Sequence, residues 1–205
     1  MILFSQARYG EVVEVWRKVR DLAPKDPSIH YHLAVAHGFT GQFDEAIAAY
    51  RKVIELDPTN DESHTNLGYL YEKKGMKEKA QRQYDRALAL KPTDVRSRNA
   101  RATLSRRQGR LVAALADYEE LVRLNPRDAE SWRSIAQVKA EEGKLDDAVD
   151  AYRRAIDIRA DYPQLHYELA EVYERKGMSY EAEQELSVFR LKELSFELFR
   201  TFDLK

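Results

Sequence analysis

Five histidines, His30, His32, His37, His64 and His166, are the side chains here best suited to act as bases or metal ligands. A helical metal pair needs two ligands four residues apart. His30 and His32 are two apart and lie on different helix faces, and His37 follows His32 by five. The paired acids of "GQFDEA" and "GKLDDA" stand where helices begin, and there they favour the helix dipole. With no cysteine, thiol catalysis, zinc ribbons, disulfides and redox switching all drop out. No glycine-rich phosphate loop occurs either. Nucleophile, base and orienting group are not assembled anywhere, so the sequence predicts a non-enzyme with no catalytic residue, no metal ligand and no cofactor.

What chemistry remains is carried by arginine. The stretch "RSRNARATLSRRQGR", Arg96 to Arg110, holds six arginines and no acid. The chain as a whole has a formal charge of -1, so no long-range field draws it to nucleic acid or an anionic membrane, and any such pull is local. Arginine forks make bidentate hydrogen bonds to carboxylates, so the arginine-rich face is a candidate for acidic groups on a partner. The alternative is a solvated face balanced by salt. The absence of cysteine is compatible with both cytosol and periplasm, the cytosol being favoured. The start, "MILFSQARYG", has an apolar run too short for a signal-peptide core or a bilayer span.

These residues are positioned by a repeat. Trp16, Tyr50, Tyr84, Tyr118, Tyr152 and Leu186 fall 34 apart, as do Ala46, Ala80, Ala114, Ala148 and Ala182. Gly41, Gly75, Gly109, Gly143 and Gly177 keep the same step, and so do Pro24, Pro58, Pro92 and Pro126. Each unit reads as two helices with apolar residues at spacings of three and four, a glycine in the turn and a proline after the second helix. One pair cannot bury both its faces, so the pairs must stack.

The pattern resembles that of tetratricopeptide-repeat (TPR) proteins, most clearly in "HTNLGYLY" with Leu67, Gly68 and Tyr71, followed by Ala80, Tyr84 and Pro92. The resemblance implies an all-α, right-handed α-solenoid of antiparallel helix pairs. Its parts are a half repeat over 1–26, repeats over 27–60, 61–94, 95–128 and 129–162, and a fifth over 163–205 with an extended C-terminal capping helix. It also places His30, His64 and His166 where the family consensus has tryptophan, so packing between helices explains them better than ligation.

By the same resemblance, slots 2, 5, 6, 9, 12 and 13 of each first helix line a concave groove. The candidate peptide-binding residues are Tyr31, Asn66, Tyr69, Arg96, Asn99, Thr103, Arg106, Arg107, Arg133 and Gln137. The expected groove runs from aromatic at Tyr31 through basic to acidic at Glu168, Glu171 and Glu174. A helical wheel puts Arg96, Asn99, Thr103, Arg106 and Arg107 on one arc and Arg98 and Arg101 on the other side. Slot 7, occupied by Leu33, Leu67, Ile135 and Leu169 in other repeats, is Arg101 in the third, which must pair or snorkel; Asp117, Glu120 and Asp85 are the nearest acids. Of the five residues with which chaperone-binding TPR domains clamp a C-terminal carboxylate, only Asn66 and Arg96 are matched.

The ends depart from the repeat. Met1 would fall in the middle of a first helix, so either a short cap replaces the missing half or the chain was cut from something longer. At the other end the last helix runs on without a closing proline. It carries apolar stripes of Leu191, Leu194, Leu198 and Phe202, and of Leu186, Phe189, Phe196 and Phe199. Its tail either caps the array or, through Phe196, Phe199 and Phe202, meets a partner or a second copy of the chain. The sequence therefore predicts a scaffold or adaptor for a protein or peptide partner with acidic groups. The alternatives are an assembly module working through its end surfaces, or the repeat region of a larger enzyme. Nucleic acid is disfavoured, because Glu62, Glu72 and Glu141 flank the arginines and repel phosphate.

Overall fold

Among the positions that recur every 34 residues, the alanines and the tyrosines one turn after them leave solvent. In a computed structural model that describes residues 9–202, with side chains from residue 10 to residue 195, Ala46, Ala80, Ala114 and Ala148 are wholly buried. The aromatics four residues later, Tyr50, Tyr84, Tyr118 and Tyr152, are buried beside them. A methyl side chain lets two helices approach closely, and the ring one turn on fills the gap. The described residues form helices only: α1 (Tyr9–Leu22), α2 (Pro27–Phe39), α3 (Phe43–Leu56), α4 (Asp61–Lys73), α5 (Lys77–Leu90), α6 (Val95–Arg107), α7 (Leu111–Leu124), α8 (Ala129–Glu141), α9 (Leu145–Ile158), α10 (Pro163–Arg175) and α11 (Ser179–Phe202). The fold is an all-α solenoid of helix pairs.

Local chemistry sets the ends of these helices. Asp26, Asn60 and Asp94 cap α2, α4 and α6, each accepting from the backbone N–H of a serine in the first turn: Ser28 at 2.9 Å, Ser63 at 2.8 Å and Ser97 at 2.9 Å. The turn between the two helices of a pair is closed by a residue in the left-handed region. Gly75 there has φ 72°, and Met76 N–H then reaches the Tyr71 carbonyl at 2.8 Å. Second helices end just before the Asp57-Pro58 type of step, which cannot continue a helix.

The chain divides into two compact units, one ending at Leu104 and the other beginning at Ser105, so the boundary falls inside α6. In the first unit α1 to α5 pack in sequence order. Ala34, Ala46, Tyr50, Leu67 and Leu70 form one core cluster and Ala80, Tyr84 and Leu104 another. The second unit stacks α7 to α11 in the same way, with Ala148, Tyr152, Ala155, Leu165 and Leu169 buried.

Slot 4 of the first helices, the tryptophan position of the consensus, is a hydrogen-bonding slot as well as a packing one. His30 Nε2 donates to the Pro24 carbonyl at 2.8 Å, Trp132 Nε1 to the Pro126 carbonyl at 3.0 Å, and an Arg98 guanidinium nitrogen to the Pro92 carbonyl. Three unlike side chains share one trait, an N–H at the tip. His64 and His166 turn instead to Gln83 at 2.8 Å and Glu185 at 2.6 Å.

Of the terminal expectations, the truncated helix at Met1 lies outside the described residues. The long last helix is present as α11, 24 residues in length. Leu191 and Leu194 are exposed, whereas Leu186 and Phe189 are half-buried, with the Phe189 ring 5.5 Å from that of Tyr167. The side chains of Phe196, Leu198, Phe199 and Phe202 lie outside the described residues.

Candidate functional site

Within each unit, first helices of neighbouring repeats meet along one face: slot 5 of one repeat reaches slot 6 of the next in Tyr31–Asn66 and Arg133–Glu168, and slot 12 reaches slot 13 in Arg106–Glu141. Equivalent slots are 34 apart, so each of these contacts spans 35 residues.

In the first unit such a contact joins Tyr31 to Asn66. Asn66 Nδ2 donates to the Tyr31 hydroxyl at 3.4 Å, and Asn66 Oδ1 accepts from Arg96 Nη2 at 3.1 Å. Arg96 Nη1 also lies 3.5 Å from a Glu62 oxygen, yet its side chain remains 64% exposed. Three successive first helices, α2, α4 and α6, thus contribute to one polar chain that ends in an accessible guanidinium. Burial, and then the nearby Glu62 carboxylate, push the Tyr31 pKa up to about 12; Asn66 and Arg96 oppose the shift. Tyr31 packs edge-on against Tyr50, with ring centroids 5.7 Å apart. Tyr69 is exposed with Lys73 Nζ 5.2 Å over its ring, Asn99 is exposed, and Thr103 is half-buried.

In the second unit the arginines have found acids already. Arg106 Nε donates to Glu141 at 2.8 Å, and its Nη1 bonds Gln137. Arg133 Nε lies 2.9 and 3.1 Å from the two Glu168 oxygens, and its Nη1 is 3.3 Å from both Glu130 and the Tyr162 hydroxyl. Gln137 Nε2 donates to Glu168 at 3.2 Å, which links Arg106 to Arg133. The hydrogen bond that Arg133 donates to Glu168 raises the Arg133 pKa, against the opposing effect of burial. Arg107 is exposed. Arg106, Gln137, Glu141, Tyr152, Glu171 and Arg175 line a cleft of about 500 Å³. Burial, followed by the Glu168 charge, holds the Tyr152 phenol well above its usual range.

No acid stands close to Arg106 in the chain, and Arg133 has Glu130 three residues back, but their main partners, Glu141 and Glu168, are not chain neighbours. The partners are one repeat away, and stepping by the 34-residue period plus one finds them. Arg101, read as a core-slot arginine, pairs with Asp85 at 2.8 Å and is 25% exposed along its side chain.

These arrangements can hold charged and polar groups of a ligand. Among the described residues no group of three His, Asp or Glu stands where it could hold a metal ion. No helix of the described residues is long and apolar enough to cross a membrane.

Comparison with known proteins agrees with the repeat. Residues 40–75 and 136–177 match a family described as TPR repeat, and residues 65–129 match one described as tetratricopeptide repeat. The chain belongs to the tetratricopeptide-repeat family. No curated protein matches it in sequence. Among solved structures it is similar to MamA, with 25% identity over 82% of this chain and 91% of that one and a TM-score of 0.76. It is also similar to MamA 41-end from Desulfovibrio magneticus RS-1, with 17% identity over 82% and 96% and a TM-score of 0.78. A third is YrrB, described as a TPR protein with an unusual peptide-binding site, with 20% identity over 94% and 100% and a TM-score of 0.75. As a TPR array the chain is a protein-interaction scaffold, and proteins of this family are in general non-enzymatic.

Proposed function

We propose that the chain binds a segment of a partner protein along the shared face of its first helices, holding an acidic group of that segment at Arg96. The observation that carries this reading is the Tyr31–Asn66–Arg96 chain. It orients a guanidinium that remains 64% exposed, so further N–H donors stay accessible to a carboxylate. Asn66 has the chemistry to fix a peptide backbone, and Tyr31 and Tyr69 offer apolar surface beside it. In the second unit Arg106 and Gln137 act through the cleft they line and Arg133 by holding Glu168 there, because Glu141 and Glu168 occupy their donors. Asn99, Thr103 and Arg107 extend the same face of α6.

Fluorescence anisotropy with a labelled acidic peptide tests the reading. Arg96→Gln weakens binding by about tenfold, the worth of a charge-assisted hydrogen bond. Unchanged affinity would remove Arg96 from the site, and loss on Arg106→Glu/Arg107→Glu alone would move the site to the second unit.

A second reading, assembly through the last helix, has an observation of its own. Leu191 and Leu194 are exposed on one face of α11. Sedimentation of a chain cut after Lys192 tests it, and an unaltered mass argues against self-association through that helix.

A further inference from the structure

The slots that pack α3 and α4 together leave a hollow where the α5–α6 and α9–α10 pairs make a polar contact. It measures about 590 Å³, with Ala48, Ile54 and Leu67 as its apolar surface, Arg51 and Tyr71 at its rim, and His64 in its wall. One repeat later the slot of Leu67 is Arg101 and that of Arg51 is Asp85, and the two meet at 2.8 Å. Between α9 and α10 the slots of Arg51 and Tyr71 are Arg153 and Tyr173. There Arg153 Nη2 donates to the Tyr173 hydroxyl at 2.8 Å, and Tyr173 is buried. In the hollow nothing equivalent forms. Arg51 is exposed, and among the described residues neither its guanidinium nor the Tyr71 hydroxyl has a hydrogen bond or ion pair. Lys52 and Glu55 compensate each other at 2.5 Å, which leaves Arg51 as the unbalanced charge of the rim.

An independent sign of incompleteness lies in the wall. His64 is 6% exposed, and its Nδ1–H donates to Gln83 at 2.8 Å, yet its buried Nε2 has no hydrogen-bond partner. Buried polar atoms are normally satisfied. At the same slot His30 and Trp132 find a proline carbonyl.

The group that those two pairs supply from within can be specified by charge and length. Where the rim residue is Asp85, the occupant is the long cation Arg101. Here the rim residue is a cation and Leu67 is too short to reach it, so the complement is a carboxylate on an aliphatic stem. We propose that this hollow receives a glutamate side chain of a protein partner. Its methylenes rest on Leu67 and Ile54, and its carboxylate lies between the Arg51 guanidinium and the Tyr71 hydroxyl. This surface is separate from the first-helix face around Arg96.

The test uses the full chain, 15N-labelled, titrated with the blocked pentapeptide acetyl-Ala-Leu-Glu-Leu-Ala-amide and with its Gln counterpart. The Glu peptide shifts the amides of α3, α4 and α5 saturably and the Gln peptide does not. Arg51→Gln, at an exposed position, lowers the affinity roughly fivefold and Tyr71→Phe roughly twofold. Arg96→Gln leaves the affinity read at the α3 and α5 amides unchanged, because peptide held at Arg96 reports on the amides of α2 and α6 instead. Equal shifts from the Gln peptide, or an affinity indifferent to Arg51→Gln, overturn the proposal. Loss of the α3 and α5 shifts in Arg96→Gln does so too, since the peptide would then be sitting on the other face.

Discussion

Arg133 and Glu168 stand on successive first helices, 35 residues apart, with the guanidinium Nε within 3.1 Å of both carboxylate oxygens. Only 23% of the arginine side chain and 11% of the glutamate side chain are exposed, so this pair is the most enclosed contact between charged groups on the face. Removing one member of a fully buried pair costs roughly 3 to 5 kcal/mol. Here Arg133 retains Glu130 and Tyr162, so Glu168→Ala should cost about 2 kcal/mol in urea unfolding. A loss below about 0.5 kcal/mol would place the pair with ordinary surface ion pairs.

Arg101 occupies a slot that other repeats give to leucine or isoleucine, and it reaches Asp85 from there. Exchanging a partly buried ion pair for a well-packed apolar residue is commonly neutral or stabilising. Arg101→Leu should therefore keep stability within about 1 kcal/mol of the parent or raise it, while Arg101→Ala, which also removes the packed stem, should lose about 1 to 2 kcal/mol. Thermal melts of the three chains decide; a clear loss in the leucine variant would make the guanidinium itself a structural requirement.

Gly68 is the glycine of "HTNLGYLY", and its lack of a side chain is needed for space. A Cβ there would lie 2.6 Å from Cε1 and 2.8 Å from Cδ1 of Tyr84, a ring with no exposed surface. Alanine gains about 1 kcal/mol of helix propensity. Overpacking a fixed ring opposes that gain, and we expect Gly68→Ala to be destabilised by about 2 kcal/mol net. Denaturant midpoints measure the difference, and a stabilised variant would mean that the Tyr84 ring yields.

The Tyr31 phenol has its folded pKa pushed up to about 12, against about 10 for a free tyrosine. The folded chain thus holds this proton more tightly than the unfolded one. The associated stability is intact below pH 10 and is lost as pH rises from about 10 to about 12. Because Tyr31 is only partly enclosed, we expect about 1 kcal/mol from it. Tyr31→Phe should flatten the fall in urea midpoint between about pH 9 and pH 11.5, with the remaining slope coming from tyrosines such as Tyr50, whose pKa burial also raises. An identical slope in the variant would show that Tyr31 carries none of the alkaline loss.

The helices and their packing were legible because the residues that make them recur. Ala46, Tyr50, Gly75 and Pro58 each state a local requirement, and four to six copies of it stand in fixed register. The face between helices was less legible because its chemistry is relational. Arg106 has no acid within ten residues on either side, and only the offset of one slot between adjacent first helices brings Glu141 to it. The helical wheel sets Arg98 apart from the arginine face, but that its nitrogen does for Pro92 what Trp132 does for Pro126 is visible only in the structure. Nothing in the sequence marks the hollow beside Leu67, since it arises from a contact that Arg51 and Tyr71 do not make.

The side-chain hydrogen bonds between helices described above reach no further than 35 residues along the chain. A repeat therefore has its full set of partners as soon as its successor has been made. Such a chain has a low contact order, and its structure can spread from any pair that forms first. Synthesis on the ribosome, which delivers the repeats one after another, presents them in the order in which they can be satisfied.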